Sequence, residues 1–335
     1  MNFTLKICAA LGVVALVTLA LTSFEFPPMD SEQYGMRGVG MVEINNPESE
    51  APKQARLANI PDVGPPMEPD GPKVGEIYEN IQVLGDLTDG EFIRLMLAIT
   101  QWVSPDQGCA YCHNEDNLAD DSVYTKIVAR QMIQMTRDIN ANWKDHVGAT
   151  GVTCYSCHGG QPVPANVWFT NPGPKAARGM AARSGGQNIA GIGTTSMHYD
   201  PFGPLLKDDG EVRVAATAPL PTGKGGASIQ ATEQTYSLMV HMSEALGVNC
   251  GYCHNSRAFS DWSQSRPQRI TAWHGINMVQ ALNNTHLEPL TGTFPPERLG
   301  PGGDVAKVNC ATCHQGVFKP LYGEAMAEGF PSLQE

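Results

Sequence analysis

Eight of the nine cysteines fall into four pairs, each followed at once by a histidine. They read Cys109-Ala-Tyr-Cys112-His113, Cys154-Tyr-Ser-Cys157-His158, Cys250-Gly-Tyr-Cys253-His254 and Cys310-Ala-Thr-Cys313-His314. Cys-x-x-Cys-His is the attachment pattern of c-type haem. Two thiols add to the two vinyl groups on one edge of the porphyrin, and the next residue places an imidazole under the iron. Zinc sites pair two Cys-x-x-Cys units without demanding a histidine after each. A redox dithiol would occur once, near a βαβ pattern. Four repeats therefore point to four covalently bound haem c groups with iron, and to a chain exported from the cytoplasm. The ninth cysteine, Cys8, lies in an N-terminal apolar run.

A haem that only carries electrons needs a second strong axial ligand. Thioether sulfur opposite histidine raises the potential relative to two histidines, because it favours Fe(II). Met96 ahead of Cys109 and Met239 ahead of Cys250 hold equivalent places before their motifs. Met242 and His241 compete with Met239, and Met132 competes with Met135. Helical methionine is also common core filling. Isolated histidines such as His198, His274 and His286 are ordinarily structural.

Helices must carry these groups. Apolar spacing predicts one over 89–103, with Phe92, Leu95, Met96, Ile99 and Trp102 on one side. A second is expected over 122–143, burying Ile127, Met132, Met135 and Ile139; two more span 232–246 and 268–283. The chain repeats itself. Cys109 through Asn114 matches Cys250 through Asn255 except at Ala110 and Gly251. Ile133, Met135 and Asn140 match Ile276, Met278 and Asn283, and His158-Gly-Gly parallels His314-Gln-Gly. Met132 aligns with Gly275, which cannot ligate, so the fourth haem needs a ligand from elsewhere, such as His146.

The fold expected is mainly α with extensive coil, a multihaem cytochrome c of two duplicated haem-pair halves. Residues 74–160 hold haems 1 and 2, and 231–320 hold haems 3 and 4. Residues 26–73 are Pro-rich and read as an extended arm. Residues 161–230 are rich in Gly and Pro and form an irregular connection, and 321–335 form a tail. With 22 basic against 34 acidic residues the net charge is −12, which excludes default nucleic-acid binding and favours a basic partner. At 41 % hydrophobic, the chain is too apolar to be disordered.

Lys6 precedes an uncharged run from Ile7 to Phe24, which Glu25 ends. With residues 1–25 it reads as a transmembrane anchor with the haems outside. A cleaved signal peptide ending near Ala20-Leu21-Thr22 is the alternative.

On these motifs, the Leu-Met helices and the order of ligands, the chain resembles the tetrahaem cytochrome subunit of purple-bacterial photosynthetic reaction centres, over about residues 26–320. The resemblance implies three His–Met haems and a final bis-His haem. Carried over, the axial pairs are His113 with Met96, His158 with Met132, His254 with Met239, and His314 with His146. It implies an electron carrier, not an enzyme, that re-reduces the bacteriochlorophyll special pair. Its partners would be the L and M subunits with H, a light-harvesting 1 ring, and a soluble donor, either a cytochrome of the c2 type or a high-potential iron-sulfur protein. Its place would be the periplasmic face of the photosynthetic inner membrane, anchored by the N-terminal helix. The first haem would face the donor and the third the special pair. Asp86, Asp89, Glu91, Glu115, Asp116, Asp120 and Asp121 cluster around the first motif and would steer a basic donor. Arg269 matches a family arginine that tunes the haem beside the special pair, with Arg266 as a near rival. The family's lipid-modified cysteine is missing here. A tetrahaem quinol dehydrogenase and a multihaem reductase are the alternative functions; the reductase needs an open iron position.

Overall fold

The computed structural model describes residues 3–23, 29–34, 41–55, 59–170, 200–212 and 229–334. Helix dominates among them, and a single two-stranded hairpin is their only sheet. The N-terminal helix α1 runs Phe3–Thr22, and the apolar side chains described from Ile7 to Leu21 are exposed. Lys6 stands inside it, so the uncharged helical run is Ile7–Thr22. At the helical rise this spans about 24 Å, against about 30 Å of bilayer hydrocarbon. Among the described residues no helix is long and apolar enough to cross a membrane. The expected transmembrane anchor is corrected accordingly, and with it the placement on the periplasmic face of a membrane that depended on it.

The arm is more structured than its prolines suggested. Strands β1 (Asp30–Gln33) and β2 (Val42–Asn45) pair antiparallel, Asp30 opposite Asn45 and Gln33 opposite Val42. Helix α2 (Pro47–Gln54) follows, its first turn capped by Asn46 Oδ1, which accepts from Glu48 N at 3.0 Å. Pro47 fits there because the first helical position needs no donor.

Helix α3 spans Asp89–Val103, the bounds that the apolar spacing predicts. Glu91 Oε2 accepts from both the backbone N (2.9 Å) and Oγ1 (2.7 Å) of Thr88, closing the first turn. Leu95, Ala98 and Trp102 form its buried stripe. Helix α4 (Tyr124–Asn142) buries Ile133 and Ile139; Ile127, expected inside, is 38 % exposed. Then come α5 (Cys154–His158), α6 (Ile229–Leu246), α7 (Gln268–Leu282) and α8 (Cys310–His314).

Two apolar cores hold these helices. The first joins Val74, Leu84, Leu95, Trp102 and Ile133 to Leu321, Phe330 and Leu333 from the C-terminal tail. Phe330 meets Trp102 edge-on at 4.8 Å, and the Arg94 guanidinium lies 4.0 Å over the Phe330 ring. The second gathers Ile139, Trp168, Leu205, Leu206, Leu238, Ile276, Leu282 and Val308. Helix α4 serves both, through Ile133 and Ile139. Within the Gly/Pro-rich connection, Trp168 pairs its backbone with Lys307 and donates from Nε1 to Val308 O at 2.9 Å. The connection's described part therefore braces the approach to the fourth motif.

Candidate haem attachment sites

The four motifs fall into two local geometries. The first and third lie on single 3-10 turns, Gly108–Tyr111 and Cys250–Tyr252. The second and fourth are the short α-helices α5 and α8. Their starts are locked alike: Thr153 N donates to Ser156 Oγ at 3.1 Å, and Asn309 N to Thr312 Oγ1 at 3.0 Å. Both end in a left-handed residue, Gly159 (φ 55°) and Gln315 (φ 50°).

Each motif histidine has its Nδ1 held by a backbone carbonyl. His113 reaches Leu118 O at 3.1 Å and His254 reaches Phe259 O at 3.2 Å, both five residues on. His158 reaches Gln161 O at 2.8 Å and His314 reaches Val317 O at 3.0 Å, both three residues on. A carbonyl can only accept, so Nδ1 carries the proton and Nε2 keeps the lone pair that a metal requires. His146 shows the same feature, with Nδ1 donating to Thr271 O at 2.9 Å. Its ring centroid stands 6.0 Å from that of His314.

His146 fits because α7 makes room. A Cβ on Gly275 would lie 2.5 Å from Cε1, 2.8 Å from Nδ1 and 3.1 Å from Nε2 of His146. Thr271 and Gly275, one turn apart, thus supply the acceptor and the space. The other isolated histidines differ. His286 has Nδ1 on Gln131 (2.8 Å) and Nε2 on Asp138 (3.2 Å), and His274 lies 4.0 Å from Asp145. His198 is outside the described residues.

Met96 is half-buried on α3 against the first core. Met132 and Met239 are half-buried against the second, and so are their rivals Met135 and Met242. Met278, the counterpart of Met135, is buried in that core. His241 is 3 % exposed and packs edge-on to Phe202 at 4.7 Å.

Paired asparagines hold the stretch before each helical motif. Asn140 accepts from Val152 N (2.7 Å) and donates to Val152 O (2.9 Å); Asn283 accepts from Val308 N (2.9 Å) and donates to Val308 O (3.0 Å). Both valines stand two residues before the first cysteine. The second and fourth motifs are also neighbours: Gln315 Nε2 donates to Cys157 O at 3.2 Å, and Cys157 and Cys313 are joined as a disulfide with Cα atoms 4.4 Å apart.

Electrostatics suits neutral ligands. Burial pushes His314 down to about 4, with His146 adding to it, and burial also lowers His146, His158 and His254. Burial pushes the Cys154 and Cys310 thiols up to about 12 and Cys253 to about 11. Thiols held protonated in this way exchange disulfides slowly. Among the described residues no three His, Cys, Asp or Glu converge where a bare metal ion could sit.

The acidic residues around the first motif are divided. Asp121 binds Arg130 at 2.9 Å and Lys126 at 3.1 Å, and Glu91 closes α3. Asp120 accepts from Ser122 and Asn114, Asp89 accepts from Tyr78 Oη at 2.6 Å, and Asp86 lies 3.8 Å from Arg137. Glu115 and Asp116 are exposed on the attachment loop. Arg269 stacks 4.0 Å from Trp262, and its charge helps lower His254. Arg266 instead clamps the hairpin, 3.3 Å from Glu43 and 3.5 Å over Tyr34. Thr271, Lys126 and the carbonyl acceptors escaped the sequence reading; backbone acceptors carry no residue signature. The Met132/Gly275 mismatch did single out Gly275, though not the space it leaves for the His146 ring.

Comparison with known proteins follows the same lines. The family described as photosynthetic reaction centre cytochrome C subunit matches residues 25–334. The photosynthetic reaction center cytochrome c subunit of Rubrivivax gelatinosus is 49 % identical over 328 residues, 97 % of this chain and 89 % of that protein. The subunit of the same name from Thermochromatium tepidum is 45 % identical, covering 96 % of this chain and 79 % of its own. That from Roseobacter denitrificans is 41 % identical, covering 96 % and 91 %.

Proposed function

Because this chain belongs to the photosynthetic reaction centre cytochrome c subunit family, we propose that it returns electrons from a soluble donor to the photo-oxidised special pair. It is an electron carrier without substrate chemistry of its own. Four covalently bound haem c groups would supply the one-electron couples. The residues present fit them: paired cysteines, imidazoles with Nε2 unprotonated, and a glycine that makes room for His146. Cys109, Cys112, His113 and Met96 would hold the first, and Cys154, Cys157, His158 and Met132 the second. Cys250, Cys253, His254 and Met239 would hold the third, and Cys310, Cys313, His314 and His146 the fourth.

The observation that carries this reading is His146 with its ring centroid 6.0 Å from that of His314, each held through Nδ1. The chain's share is orientation. Carbonyl acceptors fix the ring planes, and the locked starts of α5 and α8 hold the buried Cys154 and Cys310. The matched asparagines, the two motif geometries and Gly275 opposite Met132 support two duplicated haem-pair halves. The contact between α5 and α8 supports the second and fourth haems as neighbours. In the loaded chain Cys157 and Cys313 carry thioethers, so their pairing reports closeness of the two helices. L, M and H would be the partners, with the exposed Glu115 and Asp116 facing a basic donor.

A flash experiment on purified reaction-centre complexes tests the reading. Haem oxidation should follow special-pair oxidation and be restored by added donor. Special-pair recovery with no haem bleaching would refute it.

A further inference from the structure

Lys126 is a buried cation tied to an axial ligand. The residue is 8 % exposed. Its Nζ donates to the carbonyls of Leu118, Ala119 and Asp120 at 2.9, 2.8 and 2.9 Å. Leu118 O is also the acceptor for His113 Nδ1. One carbonyl oxygen therefore sits between the ammonium and the proximal imidazole. Lys126 and Arg269 each stand seven residues before the matched Ile133 and Ile276, so the repeat places a cation at the same helical position beside both 3-10 motifs.

We propose that Lys126 is a positioning residue that raises the potential of the first haem. The inference rests on the haem reading above. A strong acceptor on Nδ1–H makes an imidazole a better donor to iron. The ammonium draws electron density from Leu118 O, weakens that pull, and so favours Fe(II). Its charge, in a poorly solvated position, disfavours Fe(III) in the same direction. Asp121, 3.1 Å from Nζ, opposes the effect and is itself engaged by Arg130.

The test is a spectroscopic redox titration of the haem-loaded full chain, with the first couple assigned by its loss in a Cys109→Ala, Cys112→Ala variant. Lys126→Gln should shift the first Fe(III)/Fe(II) equilibrium about tenfold toward Fe(III), which is 59 mV for one electron. Lys126→Arg should keep most of the wild-type value. Asp121→Asn should move the same couple the other way, and the iron–histidine stretch of the first haem should change in Lys126→Gln. If both Lys126→Gln and Asp121→Asn lower the potential, the effect is a loosened loop and the proposal falls. An unmoved first couple in a loaded chain overturns it while leaving the haem reading intact. Wild-type chain without haem on Cys109 and Cys112 overturns both.

Discussion

Substituting Gly275 by alanine probes the fourth site with one methyl group. The new Cβ would stand 2.5 Å from Cε1 and 2.8 Å from Nδ1 of His146. Unstrained carbon contacts lie at about 3.5–4.0 Å, so the ring must withdraw by about 1 Å. The Nδ1 bond to Thr271 O, now 2.9 Å, would then exceed hydrogen-bond length. Overpacking of this kind costs about 1–3 kcal/mol. On the proposal that His146 is the distal ligand of the fourth haem, that weakens its bond roughly 5- to 150-fold. The assay is carbon monoxide binding to the reduced, loaded protein: about one haem in four should acquire an open position. Gly292→Ala, where nothing lies within 4 Å of the new Cβ, is the control. Combining His146→Ala with Gly275→Met would copy the second site, restoring a closed haem at higher potential, since Met opposite His raises it. A Gly275→Ala protein that takes up no carbon monoxide and keeps two histidines on the fourth iron would refute the packing argument.

Asn140→Ala strips the side-chain partner from both Val152 N–H and C=O, and Asn283→Ala from Val308 N–H, whose C=O keeps Trp168 Nε1; each orphaned group should cost about 1–3 kcal/mol in denaturant unfolding, so Asn140→Ala should cost more. Gly251→Ala puts a methyl where the Val42 carbonyl lies and should free the β1–β2 hairpin to proteolysis, whereas Ala110→Gly in the matching motif should not. Trp102→Ala, at a fully buried position, should cost about 3–5 kcal/mol. Arg130 holds the Asp121 carboxyl well below the usual carboxylate range. The Asp121 contribution is therefore full above the unfolded value near 3.9 and fades as pH falls through the lower folded one. Thermal melts of wild type and Asp121→Asn should differ at pH 6 and converge toward strong acid.

The family and the helices that flank the four motifs were legible because both rest on spacing. Cys-x-x-Cys-His is local, and α3 shows a clean apolar stripe from Leu95 to Trp102. The repeat also exposed Gly275 and the Asn140/Asn283 pair, whose partners turn out to be matched valines. Long-range and backbone-mediated features were not legible. The Pro-rich arm reads as extended, yet Glu43 and Tyr34 gain a partner, Arg266, from the far half of the chain. Ile127 obeys the helical period of α4 but faces outward. The apolar run at the N-terminus looked sufficient to span a bilayer; the helix end at Thr22 stops it short of Phe24. Much of the acidic cluster is bound to Thr88, Ser122 or Arg130, which a count of charges does not reveal.

The segment beyond the fourth motif closes the first core. Leu333 is fully buried there, Leu333 O accepts from Asn140 at 2.6 Å, and Ser332 O accepts from Arg137 at 2.7 Å. A chain cut short of this segment would take these carbonyls from Asn140 and Arg137 and open the packing on Trp102, so damage at the far end should be felt first by the helices of the front half.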